Sequence, residues 1–183
     1  MALTHSSMLP LGTKLPTFHL ENVLDGIKFD SNSLNNNKNT LVMIICNHCP
    51  YVIHYHNEFV RFNNDYGQKM NIVAISSNSI STHPQDGPEH MKKLFNDLGL
   101  SFPYLFDETQ EVAKSFQAQC TPEFYLFNSQ QSLVYRGRMD DSSPGNGIEI
   151  SGKDLRQAVD SLFAGNSISN QQHPSRGCNI KWK

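Results

Sequence analysis

An α/β fold, with a central mixed β-sheet flanked by helices, is predicted by three features of this 183-residue chain. Continuous apolar runs at 40–45 and 72–75 enclose a stretch, 51–66, in which Val52, Ile53, Phe59 and Val60 recur at helical spacing. That order makes a βαβ unit on a buried parallel strand pair. Two further extended runs, 123–127 and 133–136, are separated by a polar turn and precede a last helical stretch at 153–164. The third feature is a Cys-x-x-Cys pair, Cys46 and Cys49, placed where the first core strand gives way to the helix.

The first 39 residues read as a hairpin extension. Extended runs at 17–20 and 27–29 meet near Asp25-Gly26, a dipeptide that accepts the positive φ of a tight turn. The Asn-rich segment 35–39 reads as a solvated loop. Residues 84–88 make a loop bounded by prolines, and 89–98 a helix closed by Gly99. A short extended piece at 102–106 leads to a helix near 109–117, and a Gly/Ser/Pro loop covers 140–152. The core therefore runs from 40 to 164. The tail, 165–183, has no periodicity, yet it carries Ile180 and the only Trp, Trp182, which predicts a tail docked on one and the same domain. No internal repeat or long linker divides the chain.

Apolar residues make up 38% of the chain and include eleven Phe, enough for a core that needs no disulfides. The 15 basic and 17 acidic residues leave a net charge of −2 with no long basic run, which argues against nucleic-acid partners and polybasic membrane attachment. No run has the length of a transmembrane helix. Residues 1–5 lack the basic and apolar regions of a secretory signal. Four cysteines in such a chain point to a reducing cytoplasm, a bacterial one by default, where paired thiols are catalytic or bind metal.

A dithiol at the mouth of a helix favours the thiolate, the reactive form, and the spacing lets the two sulfurs close a ring reversibly. This predicts a redox site. Cys46, His48, Cys49, His54 and His56 fall within eleven residues and raise the question of a metal. Structural zinc sites draw a second ligand pair from a separate turn, and on a helix His54 and His56 point roughly 200° apart. His54 and Glu58 read more simply as an i, i+4 surface pair. No metal ligand set and no organic cofactor is assigned.

Several longer strings carry a resemblance. They are Gly12-Thr13-Lys14-Leu15-Pro16-Thr17-Phe18 with the Asp25-Gly26 turn, and Cys46-Asn47-His48-Cys49-Pro50-Tyr51-Val52. They continue with Phe106-Asp107-Glu108-Thr109-Gln110-Glu111-Val112-Ala113, Thr121-Pro122 and Gly177-Cys178-Asn179-Ile180-Lys181-Trp182-Lys183. With these, the chain resembles the thioredoxin-like superfamily, in its peroxiredoxin-like branch related to alkyl hydroperoxide reductase and thiol-specific antioxidant proteins. The second and last strings look like those of a subgroup of uncharacterised bacterial proteins. The resemblance covers most of the chain and implies a thioredoxin fold with an N-terminal hairpin extension and a C-terminal tail.

The resemblance implies thiol–disulfide exchange in which Cys46 attacks and Cys49 resolves, with a thioredoxin-like or glutathione-type electron donor. It implies that Thr121-Pro122 is a cis-proline loop facing the dithiol. His48 occupies the slot of the histidine in the Cys-Pro-His-Cys motif of disulfide oxidases. It is expected to tune the Cys46 thiolate, so that His48→Ala raises the Cys46 pKa. The Trp that precedes the first Cys in thioredoxins is replaced by Ile45, and 41–45 holds none of the carboxylate that thioredoxins bury on this strand. His48, Glu58 and Asp140 are the candidates for proton transfer.

A thiol peroxidase with a peroxide substrate is the second reading. The family pattern Pro-x-x-x-Thr-x-x-Cys places its cysteine at Cys49, but Val42 and Cys46 stand at the Pro and Thr positions. Arg136 or Arg138 would supply the cation. A non-catalytic redox sensor or metal-binding module is the third. Cys120 and Cys178 are candidate auxiliary thiols. Cys120 either accepts the disulfide from the pair or is a small buried hydrophobe. Cys178 either rests in the tail or serves as an extra resolving thiol, like the C-terminal cysteine of some peroxiredoxins.

Overall fold

A computed structural model describes residues 3–183. Met1 and Ala2, part of the N-terminal stretch expected to lack a secretory signal, lie outside the described residues. The centre of the fold is β4 (Thr40–Ile44), in which every residue is buried. It pairs in parallel with β5 (Asn71–Ser76) and antiparallel with β8 (Glu123–Phe127), so the sheet is mixed as predicted. Because side chains alternate along a strand, Leu41 and Met43 enter one apolar layer with Phe59, Phe62, Phe95 and Leu155, while Val42 and Ile44 enter the other with Phe116, Tyr125 and Phe127. A strand covered on both faces has to be apolar without interruption, which is what residues 40–45 offered as a sequence.

The full sheet has seven strands. To one side of β5 lie β6 (Tyr104–Phe106), β2 (His19–Asn22) and β3 (Lys28–Asp30), and β9 (Leu133–Gly137) follows β8 at the other edge. The hairpin of β2 and β3 sits one to two residues later than the sequence suggested. It does not stand apart, because β2 pairs with β6 through Glu21↔Phe106 and Asn22↔Leu105. The predicted extension thus completes the main sheet.

The helix expected over 51–66 is two helices, α1 (Pro50–His54) and α2 (His56–Tyr66), broken at Tyr55, whose backbone has φ −96 and ψ 4. Periodicity missed the break because the apolar positions stay in phase across it. At the break the Tyr55 hydroxyl reaches the Asp140 carboxylate and the Ser142 carbonyl, each at 2.7 Å. Asp140 also accepts the backbone N–H groups of Ser142, Ser151 and Gly152, which organises the loop before the last helix.

The remaining helices are α3 (Pro88–Leu98), stopped by Gly99 at φ +67, the short α4 (Glu111–Ser115) and α5 (Lys153–Phe163). A left-handed residue directly after a helix is a role glycine fills without strain. Three strands gave no sequence signal: β1 (Leu3–His5), β7 (Cys120–Thr121) and β10 (Arg176–Asn179), two to four residues long. They form a separate antiparallel sheet with β10 in the middle. Through β10 the tail lies against the core, with Ile180 buried, although Trp182 is 40% exposed and contributes less to that docking than Ile180.

Candidate active site

The chain turns sharply after β4. Ile45 continues the strand through a hydrogen bond to Ile75, residues 46–49 form the turn, and Pro50 opens α1 with Cys49 as its N-cap. Proline suits that first helical position because its missing N–H would have no partner there. The two cysteines are therefore not equivalent. Only Cys49 stands at the helix mouth, and Cys46 lies three residues upstream at the exit of the strand.

Facing this turn is the Thr121–Pro122 peptide bond, which is cis. The Cys46 sulfur is 3.3 Å from the Thr121 hydroxyl, and the Cys49 sulfur is 3.2 Å from the Thr121 carbonyl oxygen. A third thiol completes the group. Cys178 lies opposite Thr121 in the β10–β7 register, and its sulfur is 2.7 Å from that of Cys49. All four cysteines are buried and unbonded. Cys120, by contrast, places its sulfur 3.9 Å from the Glu123 carboxylate, and burial followed by that negative charge pushes its thiol up.

The electrostatics distinguish the two cysteines of the pair. Hydrogen bonds from the Cys178 thiol and then the Cys46 thiol pull Cys49 down to about 2, against the penalty of burial. The Thr121 carbonyl accepts from the Cys49 thiol in its protonated form. Cys46 is raised well above the ordinary thiol range by the proton it shares with Cys49, by burial and by the nearby Asp86 charge. Cys178 is raised by its hydrogen bond to Cys49 and by burial. Within this group of thiols the shared protons favour the charge at Cys49 over Cys46.

A pH prediction follows from the sign of this shift. A thiol with a lowered pKa keeps its thiolate as the pH falls. Iodoacetamide alkylation of Cys49, read by peptide mass spectrometry, should drop less than about 2-fold between pH 8 and pH 5, while an ordinary thiol drops about 10³-fold. Taking the ratio of rates removes the effect of burial on access. A fall as steep as that of a free thiol would place the anion elsewhere.

The residue that sequence reasoning missed is Asp86. Fully buried in the loop between β5 and α3, its carboxylate accepts the backbone N–H groups of Asn47 (2.8 Å) and His48 (3.2 Å), the Nδ2 group of Asn78 (2.9 Å), and lies 2.6 Å from His48 Nδ1. It holds the 46–49 turn in place and supplies the carboxylate that β4 lacks. Nothing in a polar Pro84–Pro88 loop marks it, because three of the four groups it serves, on Asn47 and His48, are 38 or 39 residues away. His48 Nε2 is buried without a partner, and the ring stacks on that of His83 with centroids 4.8 Å apart.

Of the other acids proposed for proton transfer, Glu58 is engaged by Arg61 and Arg156, and Asp140 by Tyr55 and the loop backbone. His54 bonds to Ser142 and does not form a surface pair with Glu58. Arg136 reaches the Leu9 carbonyl and Gln172, and Arg138 pairs with Asp154, so both cations considered for peroxide chemistry are committed to structural partners. Ligand atoms of Cys46, His48 and Asp86 lie within 4.8 Å of one another, a spacing a soft divalent cation accepts after modest contraction. Both Asp86 oxygens already accept from the four donors named above.

A mixed sheet with a cysteine at a helix mouth, set against a cis-proline loop, defines the thioredoxin-like class of proteins. A family model described as Redoxin matches residues 10–151, and the chain belongs to that family. No curated protein matches it. Among solved structures, an uncharacterized conserved protein from Geobacillus kaustophilus is 48% identical with a TM-score of 0.97, over 100% of this chain and 97% of that one. A hypothetical protein from Sinorhizobium meliloti is 39% identical with a TM-score of 0.94, over 98% of each chain. At 15% identity and a TM-score of 0.61, a secreted disulfide oxidoreductase of Mycobacterium tuberculosis shares the fold, over 79% of this chain and 96% of that one. Among the described residues no helix is long and apolar enough to cross a membrane.

Proposed function

We propose that this Redoxin-family protein is a thiol–disulfide oxidoreductase of the bacterial cytoplasm in which Cys49 attacks and Cys46 resolves. The observation that carries this reading is the placement of Cys49, at the helix mouth and against the Cys178 sulfur, with its charge favoured by hydrogen bonds from two neighbouring thiols. The Cys49 thiolate attacks one sulfur of a disulfide substrate, and the other substrate sulfur leaves as a thiolate that takes up a proton. The Cys46 thiol then gives up its proton and attacks Cys49, releasing the second substrate thiol and leaving a Cys46–Cys49 disulfide. His48, held by Asp86 and within 4.8 Å of the Cys46 sulfur, is the side chain we assign to take that proton. A thioredoxin-like dithiol or a glutathione-type thiol donor returns the two electrons.

Equilibration in glutathione redox buffers, followed by thiol trapping and peptide mapping, tests the couple. A reversible Cys46–Cys49 disulfide with a potential near about −270 mV would identify a reductant, and one near about −120 mV an oxidant. If the pair stays open while hydrogen peroxide consumes Cys49, the peroxidase reading takes its place. Thr121 offers the hydroxyl that such chemistry needs, but Arg136 and Arg138 are occupied elsewhere.

A further inference from the structure

Building on the reading of Cys49 as the attacking sulfur, we propose that Cys178 is a second, tail-borne resolving thiol, so that the Cys49 sulfur alternates between Cys46 and Cys178. Three independent features place it there. The first is contact, because the two sulfurs are 2.7 Å apart and about 0.7 Å of movement would bring them to bonding distance. The second is register. β10 runs antiparallel to β7, with Cys178 opposite Thr121 and Asn179 opposite Cys120, which fixes the sulfur along the strand beside the cis peptide.

The third is a backbone approach that only glycine permits. A Cβ on Gly177 would collide with the Thr121 carbonyl, so the residue next to Cys178 is what lets β10 lie against the proline loop. The tail is pinned on both sides of this point. β10 pairs with β1 on its other edge. Downstream, Ile180 N–H bonds to the Gln119 carbonyl, Lys181 N–H bonds to Asn78, and the Lys181 carbonyl accepts from Ser79 N–H.

The chemistry balances without an added cofactor. When Cys49 carries a mixed disulfide with a substrate thiol, the Cys178 thiol loses its proton and attacks the Cys49 sulfur. The Cys49–Cys178 bond forms, and the substrate leaves as a thiolate that takes up that proton. From a Cys46–Cys49 disulfide the same attack expels Cys46 as the leaving thiolate and transfers the bond with no net oxidation. Either route cross-links the C-terminal strand to the helix mouth.

The test uses the full chain with Cys46 and Cys120 both replaced by Ser, treated with oxidised glutathione. The expected result is release of two glutathione thiols per protein, no glutathione adduct remaining, and a Cys49–Cys178 peptide in the map. Release of one thiol, with Cys49 held as a glutathione adduct and Cys178 still open to alkylation, would overturn the proposal. Gly177→Ala in the same background should slow closure at least 10-fold, and an unchanged rate would show that strand register does not deliver the thiol. The parent chain separates the two readings. If it cycles through Cys46–Cys49 while the Cys46→Ser protein stops at the adduct, only the tail role fails. If Cys49 takes up no glutathione in either protein, the oxidoreductase reading itself fails.

Discussion

Cys49→Ser should lower the rate of disulfide exchange by roughly 10³-fold or more, because removing a nucleophile removes the covalent intermediate on which both halves of the reaction depend. The informative partner is the double variant Cys46→Ser, Cys178→Ser. It retains the attacking sulfur but has no thiol in contact with it, so it should trap a disulfide substrate as a stable one-to-one adduct, measurable as an intact-mass increase. The fold should survive these changes, since a serine is close in volume to the cysteine it replaces and a hydroxyl can reuse the hydrogen bonds at Thr121. Retained turnover in Cys49→Ser, with adducts found on Cys46, would restore the order that the motif alone suggested.

The second large effect should come from Asp86, a residue that need not touch any substrate. Asp86→Ala leaves the Asn47 and His48 amides, the Asn78 side chain and His48 Nδ1 without their acceptor in a buried place. Breaking such a cluster from one side costs about 3–5 kcal/mol, which urea denaturation would read as a lower midpoint at unchanged slope. Asp86→Asn is the gentler companion. It preserves shape and removes the charge that helps to hold Cys46 protonated, so the Cys46 pKa should fall in an ultraviolet thiolate titration. A rise would mean that the carboxylate acts on Cys46 mainly through His48.

Much of this arrangement is legible in the amino-acid sequence. The apolar run at 40–45 suits a strand covered on both faces, and Gly99 and the Asp25-Gly26 turn mark their boundaries correctly. The family resemblance implied that Thr121-Pro122 faces the cysteine turn, and the apolar residues of the tail pointed to its docking on the domain. What stays hidden has a common cause. Cys-x-x-Cys reads as one unit in a sequence, but the helix begins at Pro50, and only the strand-to-helix geometry separates the positions of its two sulfurs. β1, β7 and β10 are too short for any periodicity, and each exists because another is beside it. Asp86 is a long-range acceptor whose purpose is defined entirely by donors elsewhere in the chain.

The close company of Cys49 bears on how the protein would age under oxidative stress. A sulfenic acid on an isolated cysteine waits for either a thiol or a second oxidant, and the second encounter drives it to sulfinic and sulfonic acids that are not readily reversed. Here the oxidised sulfur would have a thiol against it on two sides, one from the strand exit and one from the tail, with all three side chains buried. Condensation with either neighbour returns it to the reversible rung of that ladder before another oxidant arrives. The crowding that makes the site hard to reach also makes it hard to spoil.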